Sequence, residues 1–129
     1  MSLVFESRVQ PGYVLLECSG TFSLEEALRI YEQACALAAS AGRDAVLIDA
    51  RKVTGREPTM TERYDMAVHV AGLHAGQTPR VRLAVLGHEP IIDKERFGQI
   101  VAANRGALAG VFTDERMALD WLLVQRSLP

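Results

Sequence analysis

Residues Ala45 to Ile48, an unbroken apolar run bounded by Asp44 and Asp49, constrain the fold more than any other stretch of this chain. Such a run suits a strand covered on both faces, as in a parallel sheet, better than the alternating strand of a half-wet sheet. A central strand is therefore predicted here. Ligands of parallel sheets gather beyond the carboxyl ends of the strands, so the polar residues that follow, Asp49, Arg51, Lys52 and Thr54, mark the expected functional edge.

The flanking sequence supplies partners for that strand. Leu3 to Val9 and Tyr13 to Ser19 are β-rich runs joined by Gln10-Pro11-Gly12, a short turn that favours an antiparallel hairpin. Gly20 is expected to end the second strand. Ser23 with Glu26 reads as a capping box, placing a helix from Leu24 with an inward stripe of Ala27, Tyr31, Ala34, Cys35 and Ala38 and a stop at Gly42. After a polar loop from Arg51 to Pro58, Thr59 and Glu62 form a second capping box. The helix they open, Met60 to His74, is expected to bury Tyr64, Ala67, Val68 and Ala71 and to leave Glu62, Arg63, Asp65 and His69 on its wetter side, with Gly76 and Pro79 closing it. Val81 to Leu86 reads as a strand. Asp93 is placed as the cap of a helix carrying Phe97, Ile100 and Val101 inward, and Gly106 ends it. Ala109 to Phe112 reads as a short strand, and Thr113 or Asp114 caps a last helix with Ala118, Trp121, Leu122 and Gln125 on one face.

The predicted order is ββαβαβαβα. Strands alternating with helices imply right-handed crossovers, hence an α/β domain spanning residues 1–129, with a mostly parallel five-stranded sheet and an antiparallel first edge strand. A chain of 129 residues that is 49% apolar is large enough for one such core. Its net charge of −2 gives no electrostatic footprint for nucleic acid. Apolar runs are too short for a membrane span, and the first residues lack the features of a signal peptide, so a cytoplasmic location is expected. Cys18 and Cys35 have no metal-type spacing and are expected to stay reduced in the core.

The order of elements, the Gly20-Thr21-Phe22-Ser23 exit from the second strand and the Val46-Leu47-Ile48-Asp49 strand running into a polar stretch resemble the STAS domain of sulfate transporters and anti-sigma-factor antagonists. Asp49-Ala50-Arg51, Thr61-Glu62-Arg63, Asn104-Arg105-Gly106, Val111-Phe112 and Ala118-Leu119-Asp120-Trp121-Leu122 are similar to an uncharacterised bacterial subgroup of that superfamily described as STAS or SEC14-like. The resemblance implies a sheet wound in sequential order with helices chiefly on one side. It also implies a regulatory Asp-Ser pair at the end of the third strand. Asp49 matches, but Ala50 has no hydroxyl, so the phosphorylation switch does not carry over. A sheet with helices chiefly on one side leaves apolar residues on the other, and a homodimer through that side or through the edge strand is expected.

No catalytic constellation emerges. His88-Glu89 starts like a zinc-protease motif, but Ile92 stands where the second His is needed. Asp65 and His69 are four residues apart on one helix, but two ligands are too few for a metal. No metal, cofactor or catalytic residue is therefore assigned. The favoured reading is a non-enzymatic module that binds a protein partner through Asp49, Arg51, Lys52, Thr54, Glu62 and Arg63. The alternative is a small-molecule or lipid-binding domain of SEC14-like type, which a molecule released from the purified protein by organic extraction would reveal. If the stretch is a solvated recognition loop, reversing the charges of Arg51 and Lys52 should hardly change stability.

Overall fold

The computed structural model describes residues 2–76, 81–92 and 97–123. Its elements are β1 (Val4–Gln10), β2 (Tyr13–Thr21), α1 (Leu24–Ala41), β3 (Ala45–Thr54), α2 (Met60–Ala75), β4 (Arg82–Leu86), α3 (Phe97–Asn104), β5 (Ala109–Phe112) and α4 (Glu115–Leu123). The ββαβαβαβα order is the one expected from the sequence. One five-stranded sheet has the order β1-β2-β3-β4-β5. β1 pairs antiparallel with β2, and every later pair is parallel.

Strands laid down one after another in a single direction, each joined by a right-handed crossover, place their crossover helices on the same face. The buried residues follow that rule. Val46 and Ile48 of β3 join Val14 and Leu16 of β2 in a core closed by Ile30, Ala34 and Ala38 of α1, Ala67, Val70 and Ala71 of α2, and Ala102 of α3. Ala45 and Leu47, the alternate residues of β3, point the other way and meet Ala84, Leu86, Ala118 and Leu122. Among the described residues, α4 is the helix that covers that second face over β3 to β5. Over β1 and β2 the same face carries an Arg8–Glu17 ion pair at 3.5 Å. The bare apolar face on which a homodimer was expected is thus closed by α4 on one half. Val4, Tyr13 and Leu15 share the other half of the face with the ion pair, so it is mixed rather than uniformly apolar.

Local signals account for most element boundaries. The Ser23 hydroxyl accepts from the Glu26 N–H as the α1 N-cap. Only half of the expected capping box forms, because the Glu26 carboxylate instead accepts from the Leu3 N–H at 3.1 Å and ties β1 to α1. Thr59 and Glu62 make the complete reciprocal box at the start of α2. Asp114 accepts from the Met117 N–H at 3.0 Å to cap α4, and Gly42 ends α1 in the left-handed conformation. Gly20 does not end β2, which continues through Thr21. Its φ of +112° and the Ser2 carbonyl oxygen, which a Cβ at this position would overlap, explain why glycine is needed there.

The inward face of α2 is rotated from the expected stripe. Arg63 is only 8% exposed and Tyr64 is 40% exposed, and the buried set is Arg63, Ala67, Val70, Ala71 and His74. Two polar residues hold this phase: Arg63 donates to backbone carbonyls, and the His74 Nδ1 accepts from the Leu108 N–H at 3.1 Å. In α3, Ile100 is 54% exposed rather than inward, and Ala102 takes the core position. Asp93, Pro79, Gln125 and the Phe97 side chain lie outside the described residues.

Trp121 is half-buried rather than enclosed. Its ring lies 5.7 Å from that of Phe112, and the Arg82 guanidinium stacks 4.2 Å from its centroid. Leu122, at 0% exposure, is the deeper anchor of α4. Leu122→Ala should therefore cost about 2–5 kcal/mol, the range for a core leucine, and Trp121→Ala less than the ~3–5 kcal/mol of a fully enclosed aromatic. Urea denaturation of the two variants checks the order, and a larger loss for Trp121→Ala would contradict this packing.

Candidate functional site

The third strand is longer than its apolar run. β3 continues through Asp49, Ala50, Arg51, Lys52, Val53 and Thr54, so these residues belong to a strand rather than to a loop. The connection to α2 is only Gly55 to Thr59. The pairing of β2 with β3 changes register between Glu17–Asp49 and Ser19–Lys52, which sets Ala50 and Arg51 together opposite Cys18. An extra residue of this kind is a β-bulge, and it resets which side chains face inward. Ala50 and Val53, three apart, therefore enter the same core, while Arg51 and Lys52 both reach solvent.

The bulge also aims the charges. Arg51 donates to both carboxylate oxygens of Asp49, at 3.0 and 2.8 Å, and to Glu115 at the start of α4, at 2.8 Å. Burial pushes the Asp49 carboxyl up, but the Arg51 side-chain and backbone hydrogen bonds outweigh it and hold the group below its usual range. Thr54 donates from its hydroxyl to the Gly20 carbonyl at 3.2 Å, and the Phe22 N–H donates to the Thr54 carbonyl at 2.8 Å. Glu62 accepts from both terminal nitrogens of Arg56 at 2.6 Å and from the Thr59 N–H at 2.9 Å. Arg63 turns inward and donates to the Ile91 and Pro90 carbonyls at 3.0 and 2.9 Å. Among the described residues Lys52 makes no ion pair.

The six candidate side chains are thus divided. Asp49 and Arg51 form one joint between β3 and α4, Thr54 fastens β3 to β2, Glu62 caps α2, and Arg63 holds the segment after β4. Lys52 alone is a solvated charge.

A second site is absent from the sequence reading. Between the sheet and α1, α2 and α3 lies a partly open cavity of about 140 Å³. Leu3, Ile30, Ile48, Met66, Val70 and Val85 contribute apolar walls, and the side chains with polar atoms are Cys18, Tyr31, Arg63 and Gln99. Gln99 is already engaged, accepting from the Val111 N–H of the edge strand at 2.7 Å. Burial, with a smaller contribution from Asp49, pushes the Cys18 thiol up to about 12, so it is protonated at neutral pH and a poor nucleophile. Cys35 is likewise buried and in no disulfide. The lining is drawn from nearly every element of the chain, which is why no local motif announces it.

No protein-family model matches the chain, and no curated protein matches it significantly. Among solved structures, an anti-sigma factor antagonist from Mycobacterium paratuberculosis is similar with a TM-score of 0.59 at 14% identity, over 94% of this chain and 94% of that one. The anti-sigma factor antagonist SpoIIAA in its unphosphorylated form gives a TM-score of 0.57 at 12% identity, over 98% of this chain and 100% of that one. The fold is STAS-like.

Within this STAS-like frame, Ala50 is 8% exposed and packs in the core beneath the helices. A hydroxyl at that position would point into the protein. The exposed hydroxyl residues nearby are Thr54, Thr59 and Thr61; Thr54 donates to the Gly20 carbonyl and Thr59 is occupied as a cap. Asp65 and His69 do not act together either, since the His69 Nε2 lies 3.0 Å from Glu32 on α1. Among the described residues no three His, Cys, Asp or Glu side chains gather as metal ligands.

Two outcomes follow from these charges. Arg51→Glu sets three carboxylates together and should cost about 1–2 kcal/mol at low salt, whereas Lys52→Glu should stay within about 0.5 kcal/mol. The difference should shrink in 1 M salt, where the screening length is about 3 Å; equal, salt-independent effects would show that Arg51 holds nothing together. The second concerns acid. The Arg56 guanidinium first, and then the Thr59 N–H, hold the Glu62 carboxyl down at about 2, below its ordinary 4.5. A depressed folded value means that the stabilisation is present above the ordinary value and is lost as pH falls through the folded one. Urea midpoints should decline between about pH 4.5 and about pH 2, and less steeply in Glu62→Gln.

Proposed function

We propose that this chain is a non-enzymatic cytoplasmic regulatory module that acts by binding, in the manner of the anti-sigma factor antagonists whose fold it shares. The observation that carries the reading is that shared arrangement, which extends over more than nine-tenths of the chain in both neighbours. The site chemistry supports it. The cations and carboxylates at the end of β3 compensate one another, and the cavity thiol is held protonated, so nothing there is poised to react.

The partner surface we assign is the outer face at the start of α2. Met60 and Tyr64, four residues apart on one side of the helix, are 63% and 40% exposed. Arg105 of the turn after α3 stacks 5.3 Å from the Tyr64 ring and donates to its hydroxyl at 2.7 Å. Aromatic and Arg side chains presented together are the usual anchors of protein interfaces. Lys52 lies outside the internal ion pairs and supplies a charge for steering. This assignment keeps the partner reading but moves it off Asp49, Arg51, Glu62 and Arg63, which hold the fold together.

A second reading is favoured by the cavity. Apolar side chains line most of a partly open space of about 140 Å³, and a guest seated there would remove apolar surface from water. The volume suits a compact molecule of roughly benzene size rather than a two-chain lipid.

Met60→Asp combined with Tyr64→Asp should leave the urea midpoint close to wild type, since both side chains are exposed, and should abolish capture of a partner retained by the wild-type domain from its native cell extract. Retention of the same partner by the double variant would remove the α2 face from consideration.

A further inference from the structure

We propose that two copies of this chain join their first strands, β1 beside β1 in antiparallel order with Ser7 facing Ser7, to form one continuous sheet. The surface is separate from the α2 face and does not rest on the partner reading. Among the described residues β1 pairs only with β2, and five of its seven residues are exposed. Natural sheets usually protect such an edge with a short strand, proline, lysine, a bulge or a covering segment. The opposite edge follows that practice: β5 has four residues, and the Val111 N–H is taken by the Gln99 side chain at 2.7 Å. β1 instead runs for seven residues in unbroken register against β2, without proline or lysine. Its two charges, Glu6 and Arg8, are placed to attract a second copy rather than repel it.

Backbone and charge together fix the register. Pro11-Gly12 is a two-residue turn, so Gln10 and Tyr13 are its hydrogen-bonded closing pair, and bonding alternates along an antiparallel ladder. Phe5, Ser7 and Val9 therefore turn their N–H and C=O groups away from β2. A two-fold dimer must set these outward residues against one another. With Ser7 on the axis, Phe5 faces Val9 and Glu6 faces Arg8, each contact occurring twice. Sliding to the next permitted register in either direction sets Glu6 against Glu6 or Arg8 against Arg8, which is repulsive. Within the chain, Glu6 stands directly across from Glu17, whose carboxylate takes Arg8 at 3.5 Å, and among the described residues Glu6 has no ion pair. Arg8 of the second copy supplies its counter-charge. On the other face of the strand, Val9, more than half exposed, gains the cover of Phe5 from the second copy.

Sedimentation of the full chain at high micromolar concentration is expected to show a monomer–dimer equilibrium. Glu6→Arg and Arg8→Glu each set like charges against one another twice and should weaken self-association about tenfold. An equimolar mixture of the two variants should recover association close to wild type, because every positive side chain then faces a negative one across the two strands; the recovery would also show that both variants fold. Ser7→Pro removes an N–H that β2 does not use, a position where an edge strand tolerates proline, and should leave a folded monomer by circular dichroism. A wild-type chain that stays monomeric, a dimer that survives Ser7→Pro, or single charge variants that associate like wild type would overturn the β1 interface. A mixture that stays monomeric while both variants keep native circular dichroism would overturn the register.

Discussion

The structure depends on one strand being buried from both sides. β3 sits third in a five-stranded sheet, and its successive residues Ala45, Val46, Leu47 and Ile48 feed two separate cores in alternation. A strand with no polar face must have both faces covered, yet right-handed crossovers in a sequentially wound sheet send all three connecting helices to one side. The remaining face has to be closed by an element that is not a crossover. α4, the helix after the last strand, is free to do this, and Ala118 and Leu122 seat it on Leu47, Ala84 and Leu86. The short last helix is therefore a structural requirement of the topology.

That requirement explains the chemistry at the end of β3. A strand that serves two layers needs its far end fixed to both, and the bulge at Ala50-Arg51 provides for this. It returns Val53 to the helix side, and it frees Arg51 to pair with Asp49 and to reach Glu115 on α4. Thr54 and Phe22 meanwhile lock the strand to the exit from β2. What reads in the sequence as a polar recognition loop is the joint where the sheet, α4 and the chain entering α1 are tied together. Exposed pairs of this kind contribute modestly to stability.

The fold was legible because its signals are local and repeated: the apolar run at β3, the Thr59–Glu62 box, Gly42, Asp114 and the Pro-Gly hairpin each act within a few residues. The candidate site was less so. Ala50 and Val53 are three apart, a spacing that suggests no strand face until the bulge is seen. Arg63 and Tyr64 exchanged their expected places because residue type was used as a guide to burial. A guanidinium that finds the Ile91 and Pro90 carbonyls can be buried at little cost, and a tyrosine can spread on the surface against Arg105. Ile100 failed for the opposite reason, since an eight-residue helix next to small residues has Ala102 available for the core. Such choices are made by contacts between residues far apart in sequence, and periodicity does not record them.

The cavity arises from the same small-residue pattern that lets the helices pack on the sheet. Ala27, Ala67, Ala102 and Ala109, with Gly110, line it, each allowing a close approach of backbones where the elements touch. Where α1, α2 and the sheet diverge, those short side chains do not reach across, and no large residue is placed to fill the gap. Replacing one alanine by a bulkier residue would cost little sequence change and would recover packing. The space instead has walls from three helices and the sheet, the partly exposed Tyr31 among them, and an Arg63 that donates to the backbone after β4. It lies beneath the helix whose outer face carries Met60 and Tyr64. On the two readings proposed above, a guest would influence the partner surface only by as much as it bound different positions of α2 with different affinity.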